Sequence, residues 1–112
     1  MTVFKQYQSV FANWDKEIFK SIHHDDFLFI RETELLTLEE HVKVIDNAVK
    51  TSDFAQQQNR NMVLIHANEY VEEYRWRDKE DIVTVVFLLK NGKTWRQIAN
   101  RVPAAESFNV AV

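Results

Sequence analysis

The only glycine of this chain follows Asn91, and the Asn91-Gly92 pair stands between two β-rich runs. A type I′ reversal needs φ > 0 at both central residues, which Asn and Gly tolerate well, so this dipeptide predicts a two-residue hairpin and with it a strand register. Lys90 then faces Lys93, and continued pairing sets Phe87 opposite Arg96. A second reversal at Asp78-Lys79-Glu80-Asp81 pairs Arg77 with Ile82, which sets Glu72 opposite Phe87 and Tyr74 opposite Val85. Side chains alternate along a strand. One face of the sheet therefore carries Tyr70, Glu72, Tyr74, Trp76, Val83, Val85, Phe87, Leu89, Arg96, Ile98 and Asn100. The other carries Val71, Glu73, Arg75, Arg77, Val86, Leu88, Trp95, Gln97 and Arg101.

Upstream of the hairpins the apolar period changes. Phe4, Tyr7, Phe11, Trp14, Ile18 and Ile22 recur at steps of three and four, predicting one helix from about Thr2 to about Ser21. His23-His24-Asp25-Asp26 breaks it, Phe27–Glu32 reads as a short strand, and Thr33-Glu34 as a turn. Thr37-Leu38-Glu39-Glu40 has the form of a capping box, so a second helix starts there, with Leu38, Val42, Ile45 and Val49 on its apolar face through about Lys50. From Phe54 onward four strands are expected, at about Phe54–His66, Tyr70–Arg77, Ile82–Lys90 and Lys93–Val102. The 112 residues suit one domain, 1–112, in which residues 103–112 form a C-terminal tail.

Helices followed by an antiparallel meander make an α+β layout with helices covering one face of a bent sheet. This element order, with the phrases His24-Asp25-Asp26-Phe27 and Gly92-Lys93-Thr94-Trp95-Arg96, resembles the NTF2-like superfamily and in particular its small SnoaL-like members. The likeness runs from Thr2 to about Val102. It implies a cone-shaped fold, with N-terminal helices packed on a strongly bent, mainly antiparallel sheet around a pocket. It also implies a homodimer formed through the outer sheet surface. Members with this fold serve as isomerases, dehydratases, cyclases, epoxide hydrolases or plain binding modules, and fold alone does not choose among them.

The more aromatic face is assigned to the interior of the cone. On it, Glu72 and Arg96 fall in one row about 10 Å apart, separated by the Phe87 strand. Buried charges need a partner, so the two are expected to meet each other, water or a ligand. The candidate ligand-binding set is Arg96, Tyr74, Trp76, Phe87 and Asn100, suited to a small hydrophobic or carbonyl-containing molecule. The candidate catalytic groups are Glu72 and His66, with a structural ion pair and a surface histidine as the ordinary alternatives. Arg31 shares a face with Phe27 and Phe29, either at the cone mouth or in a surface ion pair. The expected function is small-molecule binding in the cone. The alternatives are acid-base catalysis in that pocket, and self-association around a filled cone.

On the outer face Val71, Val86, Leu88 and Trp95 have no helix left to cover them, which predicts a homodimer, or else a tail folded across them through Phe108, Val110 and Val112. A net charge of −3 with interspersed signs argues against nucleic acid. No cysteine is present, and neither His23-His24-Asp25-Asp26 nor Glu39-Glu40-His41 has the spacing of a metal site, so no metal and no cofactor are expected. The segment 1–20 carries Lys5, Asp15, Lys16 and Glu17, which suits neither a signal peptide nor a membrane span, and a cytoplasmic protein is expected.

Overall fold

A computed structural model describes residues 2–106. The elements in chain order are α1 (Val3–Ala12), α2 (Lys16–Ser21), β1 (His23–Arg31), β2 (Glu34–Thr37), α3 (Leu38–Thr51), α4 (Phe54–Asn61), β3 (Val63–Ala67), β4 (Val71–Asp78), β5 (Asp81–Lys90) and β6 (Lys93–Pro103), then a 3₁₀ turn at Ala104–Glu106. The six strands form one curved, unclosed sheet in the order β2-β1-β6-β5-β4-β3. All neighbours are antiparallel except β1 and β6, which run parallel. No helix among the described residues is long and apolar enough to cross a membrane.

Three expected elements differ. The first helix is two, because Asn13 closes α1 with its N–H on the Ser9 carbonyl and the Asp15 carboxylate caps α2 by accepting from the Glu17 and Ile18 amides. The apolar phase restarts at that break, so Phe19 is 1% exposed while Ile18, its predicted counterpart, is 51% exposed. Residues 54–61 are helical rather than extended. Ala55 and three consecutive glutamines favour the helix, and its buried face uses Ala55 and the polar Gln58, leaving too little apolar period to read. Finally, β1 begins four residues early, at His23, and Glu34–Thr37 pairs with it as a strand. The capping box forms as expected, with Thr37 Oγ1 accepting from the Glu40 amide and Glu40 Oε1 accepting from the Thr37 amide. Phe108, Val110 and Val112 lie outside the described residues.

Both reversals form where predicted. Asn91 and Gly92 have φ of 53° and 75°, as a type I′ turn requires, and Lys90 pairs with Lys93 and Leu89 with Thr94. The register then slips by one. Leu88 pairs with Arg96 and Phe87 with Gln97, leaving Trp95 as the extra residue of a β-bulge. Two consecutive side chains, Trp95 and Arg96, therefore occupy the outer face, where the Arg96 guanidinium lies 3.9 Å from the Trp95 ring centroid and Lys90 Nζ lies 5.6 Å from it. Every later residue of β6 is turned over relative to expectation. Gln97, Ala99 and Arg101 share the inner face with Phe87, Val85 and Val83, while Arg96, Ile98 and Asn100 share the outer face with Leu88, Val86 and Thr84. Exposure agrees, at 6% for Ala99 and 40% for Ile98.

The expected meeting of Glu72 with Arg96 is therefore overturned. Arg96 donates from Nη1 to the Asp26 and Trp95 carbonyls. Glu72, 2% exposed, accepts instead from the Val3 amide (2.9 Å), the Phe4 amide (2.8 Å) and the Tyr74 hydroxyl. Its charge meets the first free N–H groups of α1, at the positive end of the helix dipole, so the carboxylate ties that helix to the sheet. Burial, and next the bond to Glu72, hold the Tyr74 hydroxyl well above its usual pKa.

A second buried polar group ties the middle of α1 to α2. His23 Nδ1–H donates to the Phe19 carbonyl at 2.7 Å, which leaves Nε2 to accept from the Tyr7 hydroxyl at 2.6 Å. Thr94 Oγ1 lies 3.4 Å from the same phenolic oxygen. His41 packs near His23, at 6.0 Å between ring centroids, and stacks on Phe29 at 4.8 Å. Burial lowers the pKa from 6.5 to about 4 for His23 and to about 3 for His41.

Two outcomes follow. Glu72→Gln leaves one of three donors facing an amide N–H, and is expected to destabilise the fold by about 1–3 kcal/mol and to speed hydrogen exchange at the Val3 and Phe4 amides. Unchanged exchange there would dissociate Glu72 from helix anchoring. Because both histidines are neutral when folded and protonate near pH 6.5 when unfolded, their contribution is intact above that value. It is lost as pH falls towards about 4 and about 3, by several kcal/mol in order of magnitude. Chemical denaturation across pH 4–7 should show this slope, and His41→Phe should flatten it.

Candidate functional site

Between the inner face of the sheet and the helices lies a chamber of about 330 Å³. Its wall is built from aromatic rings placed by different elements. Tyr7 of α1 stacks on Phe87 of β5 at 5.0 Å, Tyr74 of β4 meets the same ring edge-on at 4.8 Å, and Trp76, Phe29 and Phe54 extend the surface. Val83, Val85 and Ala99 complete the sheet side.

Three uncharged polar side chains interrupt this wall, namely His41, Gln58 and Gln97. His41 is carried on the apolar face of α3 between Leu38 and Val42, and its ring makes no hydrogen bond among the described residues. Gln58 is buried on α4. Gln97 sits on β6 between Phe29 of β1 and Phe87 of β5, and its buried Oε1 has no hydrogen-bond partner among the described residues. The charged groups stand at the edge and are already paired. Arg31 donates to Glu34 at 3.0 Å, and Arg101 donates to Asp78 at 2.8 Å and Asp81 at 3.0 Å. Among the described residues lining the chamber, Glu34 is the one carboxylate.

The sequence-derived candidates divide accordingly. Tyr74, Trp76 and Phe87 line the chamber, and Asn100 borders it although it stands exposed in the outward-facing register. Arg96 does not line it, for the bulge puts its side chain on the outer face. Glu72 lies behind Tyr74, with its oxygens committed to α1 and the Tyr74 hydroxyl. His66 is exposed on the edge strand β3, opposite Glu73, with Nε2 3.1 Å from the Asn68 amide nitrogen. Arg31 does both things foreseen for it, reaching the mouth while pairing with Glu34.

Sequence reasoning missed the three interior polar groups for separate reasons. Gln97 was hidden by the bulge and Gln58 by the unread helix. His41 had a usable signal, since it falls three residues after Leu38 and four before Ile45 on the apolar stripe. Chemically, the chamber offers aromatic surface and hydrogen-bonding groups without charge, and its one carboxylate among the described residues, Glu34, is paired with Arg31.

No family model matches this chain, and no curated protein matches it. Solved structures do. An NTF-2-like protein of unknown function from Burkholderia xenovorans LB400 superposes with a TM-score of 0.59 at 10% identity, over 94% of this chain and 84% of that one. A putative polyketide cyclase from Sinorhizobium meliloti gives 0.59 at 13% identity, over 84% and 89%. An LEH-like epoxide hydrolase from M. tuberculosis gives 0.57 at 10% identity, over 88% and 78%. Helices on the concave side of a curved mixed sheet, a chamber between them and these superpositions together show that this chain has the NTF2-like fold.

Proposed function

We propose that this protein is a binding module for a small, uncharged, largely apolar molecule held inside the cone. The observation that carries this reading is the chamber of about 330 Å³, which falls within the usual range for small-molecule sites and has mainly aromatic and aliphatic walls. The charged residues at its mouth are paired with one another, so an ionic ligand would have to break those pairs. Acid-base catalysis is the weaker reading. A general base works best with a pKa near the working pH, whereas the one histidine of the chamber is lowered to about 3 by burial, and no carboxylate supports it.

The fluorescence of the neutral probe N-phenyl-1-naphthylamine is expected to rise on addition of the protein, with saturable binding. Ala99→Phe, which places a ring in the chamber from the sheet side, should weaken that binding about tenfold or more, in keeping with several lost apolar contacts. No saturable signal, or one indifferent to Ala99→Phe, would reject the binding reading.

We also propose that the outer sheet face pairs with a second copy of this chain through Val71, Val86, Leu88 and Trp95. The corrected register supports a wider patch than the sequence suggested, because Ile98 and Val102 join it, and both are exposed. The Arg75–Glu73 ion pair beside it presents both charge signs, as a self-complementary surface needs. Gln97 and Arg101, expected on the outer face, face inward instead. Sedimentation equilibrium is expected to give a dimer for the native chain and a monomer for Leu88→Glu. An unaltered mass for that variant would exclude this surface.

A further inference from the structure

Gln97 is hard to explain as packing. Its strand neighbours on the inner face are Phe29 and Phe87, both buried, and neither offers anything to hydrogen-bond with an amide. An unpartnered buried polar group normally destabilises a fold, and a leucine or methionine at this position would fill the same space without that penalty. The bulge at Trp95 is what turns Gln97 inward, so the placement follows from a specific backbone feature rather than from a loosely held side chain. Gln97 is part of the chamber wall, its oxygen shut in behind the wall and its amide nitrogen without a hydrogen-bond partner among the described residues. His41 stands close by, its ring stacked on Phe29 at 19° between planes, likewise without a hydrogen bond among the described residues.

We infer that Gln97 is the specificity residue of the chamber and that the bound molecule carries a neutral hydroxyl on a flat apolar skeleton. This rests on the binding reading above and adds the ligand's chemical class. A hydroxyl is the group that suits the site, because it accepts from the amide nitrogen and also donates to the amide oxygen if the side chain turns over. A carboxylate or ammonium is disfavoured, since it would enter an aromatic chamber with no free countercharge. A hydrocarbon of the same shape leaves Gln97 unpartnered, so the residue discriminates against it. His41 supplies a second uncharged donor and acceptor beside the same Phe29 wall.

The test compares 2-naphthol with its near-isostere 2-methylnaphthalene, each displacing N-phenyl-1-naphthylamine from the native chain and from Gln97→Leu and Gln97→Met. The ratio of the two affinities is expected to favour 2-naphthol by about tenfold more in the native chain than in either variant, the size of one hydrogen bond. Both ligand-free variants should melt at or above the temperature of the native chain. An equal ratio in all three proteins would overturn the role of Gln97 while leaving the binding reading intact. Failure of both naphthalenes to bind the native chain would overturn both. Marked destabilisation of both variants would show the amide to be a structural group and would also overturn the inference.

Discussion

The bulge at Trp95, where the Arg96 guanidinium stacks on the indole, sets how this molecule is organised. Two large side chains on one face of a strand require an extra residue in the ladder, and that residue reverses the faces of everything that follows in β6. Because β6 lies between β1 and β5, the reversal decides which β6 side chains join the inner wall between Phe29 and Phe87. Ala99 gains the concave face, where its small side chain leaves room, and Gln97 gains a place among aromatic rings. Arg96, turned outward, reaches the Asp26 carbonyl and so also fixes the path by which β1 enters beside it. One cation–π contact worth only about 0.5–1 kcal/mol at an exposed site thus accompanies a choice between two distributions of side chains.

The buried polar groups fall into two kinds. Glu72 and His23 have all their bonding directed at the protein, the first to the start of α1 and the second to Tyr7 and the end of α2. Between them they position the helices that roof the chamber, and they do so with hydrogen bonds that have direction, which apolar packing lacks. Gln97 and His41 are the other kind, with capacity left over. Glu72 and His23 lie behind the wall and Gln97 and His41 are part of it, while the orphaned Asn59 Oδ1 and Arg75 Nε belong to residues that do not line the chamber.

Much of the fold was readable in the residues. Asn91-Gly92 marked its hairpin, Asp78–Asp81 marked the other, and Thr37 to Glu40 spelled the start of α3, because each of these signals is local and has a definite backbone geometry behind it. The bulge was not readable. The contacts that accompany it join Trp95, Arg96 and Lys90 across the sheet surface, and nothing in strict alternation announces where an alternation will fail. The split between α1 and α2 was obscured by Trp14, which keeps the three-to-four spacing while donating its indole N–H to Asp46 of α3. The aromatic lining of Tyr74, Trp76 and Phe87 depended only on the β4–β5 register and was placed on the concave side. Arg96 depended on the register beyond Trp95 and was not.

The ion pairs at the chamber mouth have a consequence for how the site responds to its surroundings. Arg31 with Glu34, and Arg101 with Asp78 and Asp81, are solvent-facing, so dissolved salt weakens them over distances of about 8–10 Å. The lining deeper inside is uncharged and feels no such screening. For a ligand of the kind proposed, ionic strength would act on the charged rim, whereas the hold on the ligand inside would depend on its shape and its polar group. Entry and retention of such a ligand would then be under separate physical control.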